Sequence, residues 1–393
     1  MGDAQRPKDE GREGRRDGCL HGEAGAGAFG WMDAMRCVLA TAVAFAHAWY
    51  LLIEDYRQPA SLPARAGYFL AGYAHACVIL FFVLSGFWIT RSVSRRLDGG
   101  WRWQPYLIDR LSRLGIVLVP ALALGGMLDW IGLDLLGSTT HRGLTDTYVM
   151  RPDLADTLSW RTLLGNLLFL QTILVAPFGS NGPLWSLAFE FWFYIWFPAL
   201  AVSLRSRRPS PLLITAGLIA FNPHLAISFG CWLCGTLLHW ANGERDAKAP
   251  PPRGWLVLSA LMFAVMLVVV RLRGLDGLEL PLAAAFAVLL HTLMRVDPAL
   301  PAWARPLASY GSKASFSLYA VHFPLLALMA GIVINEQRLP PTTVGMAMVA
   351  AAVSITVAFC WAFAWCTERH TGRLRDALSR KSRQRADYSS ARE

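Results

Sequence analysis

MDAMRCVLATAVAFAHAW, residues 32–49, is the stretch whose reading decides the fold. It is apolar over most of its length, yet it carries Asp33, Arg36 and His47. A helix that crosses hydrocarbon needs about 20 largely apolar residues. An ionisable side chain inside one costs about 2.5–3.5 kcal/mol on the insertion scale, so each such residue is a candidate for function. Comparable apolar windows recur at 66–90, 182–204, 314–335 and 339–367. Apolar residues make up 54% and charged residues 16% of 393, a balance that excludes an ordinary water-soluble globule. Lipid offers no hydrogen-bond partner to a backbone amide, so spans with this pattern are helices and the fold class is all-α.

Worked outward from that stretch, the pattern predicts ten spans, near 33–53, 67–90, 112–131, 183–204, 210–222, 224–241, 254–270, 279–294, 314–335 and 341–366. The formal net charge of +10 is compatible with nucleic acid, but the basic residues collect in alternate short loops, which is the positive-inside pattern. With both termini inside, only Arg57, Arg65, Arg142, Arg151, Arg161, Arg271, Arg273 and Arg338 fall outside. The apolar segment 163–178 would invert everything after it if it crossed, and would expose Arg205, Arg207, Arg208 and the basic tail. It is therefore expected as a re-entrant or interface-lying helix. The organisation expected is a disordered cytoplasmic tail over 1–28, one membrane domain over 29–368 and a basic cytoplasmic tail over 369–393. Five of the seven cysteines, Cys37, Cys77, Cys231, Cys234 and Cys360, sit in apolar segments, where packing as small hydrophobes outweighs disulfide or metal chemistry. No metal site is expected.

Arg36 and His47 share a helix face, three turns and roughly 16 Å apart along the axis. If the substrate is a coenzyme A thioester, the arginine end can pair with its phosphates while the thin pantetheine arm brings the thioester toward the imidazole. That imidazole can remove a hydroxyl proton or take the acyl group itself. The structural alternative is a snorkelling arginine and an interhelical histidine. Further along, Tyr106, Arg110 and Arg113 fall at i, i+4 and i+7, with Arg91, Arg95, Arg96, Arg102, Trp101 and Trp103 nearby. Planar guanidinium forks suit phosphates, although most basic loops only set topology. In NGPLWSLAFEFWFYIWFP, residues 181–198, Ser186, Glu190 and Tyr194 form one stripe. Glu190 and His47 both lie roughly 10 Å from the outer ends of their spans, so a His47–Glu190 pair is a candidate, with a carboxylate fixing the imidazole as in a hydrolase triad. Ser85-Gly86 in FFVLSGF, residues 81–87, permits close helix approach. In SFSLYAVHFP, residues 315–324, Ser315, Tyr319 and His322 share a face, which by itself reads as an interhelical network.

Taken together these stretches resemble the acyltransferase-3 family of bacterial integral-membrane O-acyltransferases. The carriers are Arg36 and His47 with ten residues between them, FFVLSGF, Arg110-x-x-Arg113, LWSLAFEFWFY, and SFSLYAVHFP followed by Glu368, in that order along nearly the whole chain. The residues after Arg36 read CVLATA, where the family usually has a glycine. The resemblance implies a ten-helix domain in a bacterial inner membrane and an acyl-coenzyme A donor, acetyl foremost, approaching from the cytoplasm. It implies a hydroxyl acceptor on a glycan or lipid-linked saccharide at the outer face. Arg36 and His47 match the family's most characteristic pair; together with the stripes above, catalysis is expected at His47, Glu190 and Arg36, and donor contacts at Arg36, Arg110, Arg113, Tyr106, Ser85, Trp185, Ser186, Tyr194, Tyr319 and His322. Membrane lipids are the other partner, and a homodimer is compatible with the sequence. Two alternatives stand: a small secondary metabolite such as a macrolide as acceptor, or a transporter of a lipid-linked sugar that performs no chemistry.

Overall fold

The computed structural model describes residues 26–57, 61–243 and 251–390. Residues 1–25 of the expected N-terminal tail lie outside them, and Ala26–Ala28 already belong to the first helix. The helices are α1 Ala26–Leu52, α2 Leu62–Ala71, α3 Ala74–Asp98, α4 Trp103–Trp130, α5 Leu154–Thr157, α6 Trp160–Leu167, α7 Trp185–Ser206, α8 His224–Ala241, α9 Arg253–Arg273, α10 Glu279–Val296, α11 Ala304–Val333, α12 Thr343–Thr367 and α13 Thr371–Ser390. A π turn, Ile131–Leu135, prolongs α4, and a 3₁₀ helix, Pro211–Ala220, links α7 to α8. No strand occurs among the described residues, only the isolated bridges Ile53 to Leu339 and Gln171 to Val175. The all-α class holds, and α1, α3, α4, α7, α9, α10, α11 and α12 are each long and apolar enough to cross a membrane.

Side-chain registers set the directions of the helices. Cys37 sits where a Cβ on Gly311 would fall, and His47 meets His322, so α1 and α11 run side by side in the same sense. Ser85 meets Glu190, and Phe82 meets both Trp185 and Phe193, so α7 runs with α3. Thr90 hydrogen-bonds Thr236 and Phe87 meets His239, so α8 also runs with α3. A Cβ on Gly86 would lie 2.0 Å from Trp232 O, and one on Gly235 2.0 Å from Val83 O; these glycines let the α3 and α8 backbones touch. Because α7 and α8 point the same way, the chain must return between them. The 3₁₀ helix makes that return, rising about 2 Å per residue.

Three details differ from expectation. The span expected over 67–90 is broken between α2 and α3, where Arg271 donates to Phe69 O (3.0 Å), a carbonyl that the end of α2 leaves open, and to Tyr68 O (3.1 Å), which also accepts from Gly72 N. The helix expected over 163–178 stops at Leu167. There the Asn166 side chain donates to Ala176 O and accepts from Phe178 N, folding 168–178 back as turns with Phe169 and Thr172 at positive φ. Finally, α4 begins at Trp103 and not near 112, which puts Arg110 and Arg113 on the helix itself.

At the end of the bundle away from the arginine-rich α3–α4 connection, one side chain ties the connections together. Arg338 is buried and donates to Thr145 O (3.0 Å), Ile53 O (2.9 Å), Tyr50 O (3.3 Å) and Asp146 O (3.0 Å), and it pairs with Asp55 at 3.0 Å. α9 and α12 expose Val257, Leu261, Val265, Val344, Ile355 and Trp365, surface suited to lipid. Replacing Arg338 by Met leaves Tyr50 O with Thr147 Oγ1 (2.8 Å) but removes the donor to the other three carbonyls, each worth about 1–3 kcal/mol when left unmet in a buried place. We expect a loss of at least about 3 kcal/mol in detergent-unfolding experiments, with Arg338→Lys recovering only part because an ammonium cannot fork to four acceptors. An unchanged unfolding midpoint in Arg338→Met would remove the latch from the account.

Candidate functional site

Five helices enclose a cavity of about 560 Å³. α1 gives it Asp33 and Arg36; α3 gives Phe81, Phe82, Ser85 and Ser92; α4 gives Arg110 and Arg113; α7 gives Ser186, Glu190 and Tyr194; α11 gives Ser315 and Tyr319. Pockets of this size, apolar-walled with a few convergent polar groups, are the usual form of a small-molecule site. Eight of the residues singled out in the sequence therefore meet at one place: Arg36, Ser85, Arg110, Arg113, Ser186, Glu190, Tyr194 and Tyr319.

Glu190 is the polar centre of the wall. Its Oε1 accepts from Ser85 Oγ at 2.6 Å and from Tyr194 OH at 2.5 Å, while Trp232 Nε1 donates to Ser85 Oγ at 3.3 Å. The i, i+4 stripe of α7 thus becomes a real contact, and the Gly86–Gly235 crossing is what brings Trp232 to Ser85. Deeper in, Tyr319 OH donates to Pro183 O at 2.7 Å and so accepts from Ser186 Oγ at 2.6 Å. Glu368 Oε1 accepts from Ser317 N (3.2 Å) and Ser317 Oγ (2.5 Å), fastening the end of α12 to α11.

The guanidinium groups are unevenly matched. Asp109 takes Arg96, with Arg110 and Arg375 each 3.8 Å away, so α13 is held to α4. Arg110 Nε is buried with no hydrogen-bond partner. Neither Arg36 nor Arg113 has a carboxylate within ion-pair distance among the described residues. The cavity thus presents three guanidinium groups to whatever enters it, and such groups match phosphate oxygens.

Four predicted residues are placed elsewhere. The His47–Glu190 pair does not form: Glu190 bonds Ser85 and Tyr194, whereas His47 Nδ1 lies 2.9 Å from His322 Nε2, beyond Tyr319. Helical spacing gives depth and face but not which neighbour a face meets. Trp185 lines a second cavity of about 220 Å³ with His75, His224 and Glu279. Tyr106 is fully buried. Pro198 inside α7 cannot donate to Tyr194 O, and Tyr106 OH supplies that bond at 2.9 Å, with Arg96 and Arg110 stacked near its ring. Pro324 likewise frees Ala320 O, which Asn181 Nδ2 reaches at 2.8 Å. Sequence reasoning missed Asn181, Asp109 and Trp232 as supports; the prolines four residues past the freed carbonyls were the signal for the first.

A family model described as an acyltransferase domain, that of the acyltransferase-3 family, matches residues 29–365, and the chain belongs to that family. No curated protein and no solved structure matches the chain.

Tyr106→Phe separates support from binding. Leaving Tyr194 O without its donor is expected to lower stability by about 1–3 kcal/mol in detergent unfolding, with no measurable change in KM for the acyl donor. A raised KM at unchanged stability would return Tyr106 to the ligand site.

Proposed function

We propose a specific reaction for this chain, which as a member of the acyltransferase-3 family is a multi-pass membrane acyltransferase: transfer of an acyl group, acetyl foremost, from acyl-coenzyme A to a hydroxyl of a glycan or lipid-linked saccharide. The observation that carries it is the convergence of Arg36, Arg110 and Arg113 on one cavity, with Arg110 Nε buried and unpartnered. An anionic, phosphate-bearing donor supplies what that set lacks.

The chain crosses the membrane ten times, the eight long helices being joined by α8 and the 3₁₀ helix Pro211–Ala220, with both termini in the cytoplasm of a bacterium. Two observations favour this: the parallel run of α7 and α8, which requires a return between them, and the collection of basic residues at one end. The cavity then opens toward the cytoplasm, where Arg110 and Arg113 take the phosphates, and the pantetheine arm follows the Phe81–Phe82–Ser85 wall toward Tyr319. The acceptor approaches from the opposite face.

His47 is the base. A ring nitrogen takes the hydroxyl proton as the oxygen attacks the thioester carbon; the tetrahedral intermediate collapses with loss of the C–S bond, and the same proton passes to the leaving sulfur. The products are the ester and coenzyme A thiol. Ser85 and Tyr194 each have one proton, and both are committed to Glu190, so Glu190 acts by holding the wall in place and not by steering His47.

With purified chain in nanodiscs, acetyl-coenzyme A and a saccharide acceptor, we expect acceptor-dependent thiol release. Arg110→Ala with Arg113→Ala should raise KM for acetyl-coenzyme A about tenfold or more, and His47→Ala should lower kcat about 100-fold or more. Absence of thiol release with any acyl-coenzyme A would overturn the reading.

A further inference from the structure

Behind Tyr319 two imidazoles stack, His47 of α1 and His322 of α11, with ring centroids 5.1 Å apart and planes 24° apart. His47 Nδ1 lies 2.9 Å from His322 Nε2, and either atom taken alone could be the donor. The other nitrogen of His322 decides. Its Nδ1 lies 3.0 Å from Leu318 O and 2.9 Å from Tyr319 O. Carbonyl oxygens only accept, so Nδ1 carries a proton. A neutral imidazole has one N–H, which leaves His322 Nε2 as a lone pair. His47 Nδ1 must then be the donor, and the remaining nitrogen of His47, Nε2, is bare. Nothing among the described residues hydrogen-bonds to it.

The competing arrangement charges His322 at both nitrogens and turns His47 around. No carboxylate lies within ion-pair distance of either ring among the described residues. His322 is 1% exposed. A sealed imidazolium without a counter-ion costs several kcal/mol, so the neutral arrangement prevails. The rings also differ in access: His47 is half-buried, with Phe323 edge-on at 5.1 Å, so only the outer ring can meet a substrate.

We propose that His322 is a positioning residue for acyl transfer: as a neutral hydrogen-bond acceptor it holds His47 in the Nδ1–H tautomer and makes Nε2 the atom that takes the acceptor's proton. The inference rests on His47 being the base of the reaction above. His322 occupies the place that a carboxylate holds in a hydrolytic triad, which fixes the ring of its base in the same way. When Nε2 takes the hydroxyl proton, Nδ1–H stays on His322 Nε2, so the imidazolium keeps its orientation until Nε2 returns the proton to the thiolate sulfur. If the acyl group instead bonds to the imidazole, the same bare nitrogen is the nucleophile.

The test uses the full chain in nanodiscs with ¹⁵N-histidine. His47 and His322 resonances, assigned by their loss in His47→Gln and His322→Gln, should each show a protonated Nδ1 and an unprotonated Nε2 at neutral pH. His322→Leu should lower kcat by about 10- to 100-fold with KM for acetyl-coenzyme A unchanged, and His322→Gln, whose amide oxygen can still accept from His47, should restore most of it. A protonated His47 Nε2 in the unmodified chain overturns the proposal, whether or not the leucine variant folds; so does a glutamine variant no better than leucine. Failure of acyl transfer in the unmodified chain would sink the proposed reaction and leave the tautomer reading to stand or fall on the spectrum alone.

Discussion

Inside hydrocarbon a carbonyl released from its helix has no water to turn to, and this molecule is organised around meeting that need with protein donors. Pro198 in α7 and Pro324 in α11 are two of the three prolines inside the helices that wall the cavity, Pro120 of α4 being the third. The oxygens that Pro198 and Pro324 release, on Tyr194 and Ala320, are taken by Tyr106 and Asn181. Both donors come from other parts of the chain, so each proline adds a tertiary tie between a wall helix and its surroundings. Tyr106 fixes α4 to α7, and with it the register between Arg110 and Glu190. Asn181 fixes the entry to α7 onto α11, so Ser186 and Tyr319 meet. Arg271 and Arg338 apply the same rule at the opposite end of the bundle, each guanidinium serving several carbonyls.

How much of this was legible follows from what helical periodicity encodes. It gives the presence of a helix, its apolar face and the residues that share a stripe. The all-α class, the positions of eight of the ten expected spans to within their ends, the close approach at Gly86 and the contact of Glu190 with Tyr194 were therefore readable. It does not give azimuth relative to a neighbour, and the His47–Glu190 pairing failed for that reason: equal depth is necessary for contact but not sufficient. Tyr106 failed differently. Its spacing with Arg110 and Arg113 is real, yet a fully buried hydroxyl beneath a proline-freed carbonyl has a partner already. The apolar run 163–178 misled because hydropathy does not register that the Asn166 side chain can replace the helix's own hydrogen bonds.

Charge is distributed with the same economy. Asp109 gathers Arg96, Arg110 and Arg375, so a single carboxylate both anchors α13 and competes for one of the guanidinium groups that face the cavity. At 3.8 Å its hold on Arg110 is long, and Arg110 Nε remains unmet. In the proposed reaction the incoming phosphate would offer Arg110 shorter, better-directed bonds than that carboxylate does. Arg96, bonded directly to Asp109, gives that carboxylate a partner independent of Arg110.

The two polar networks near the cavity differ in kind, and Tyr319 stands between them. On one side Glu190, a carboxylate, accepts hydrogen bonds from Ser85 and Tyr194 in the cavity that Arg36 and Arg113 also line, beyond ion-pair distance. Those cations offset its charge, and a carboxylate is tolerable there. On the other side no guanidinium among the described residues hydrogen-bonds to the imidazole pair, and a carboxylate beside His47 would stand uncompensated in hydrocarbon at a cost of several kcal/mol. A second imidazole supplies the one property needed, a lone pair aimed at Nδ1, without bringing a charge. Under the proposed roles, the orienting partner of the base is decided by its surroundings: where counter-ions are near, a carboxylate serves; where the helices offer backbone oxygens, such as those of Leu318 and Tyr319, a neutral ring is the group that can be held in place.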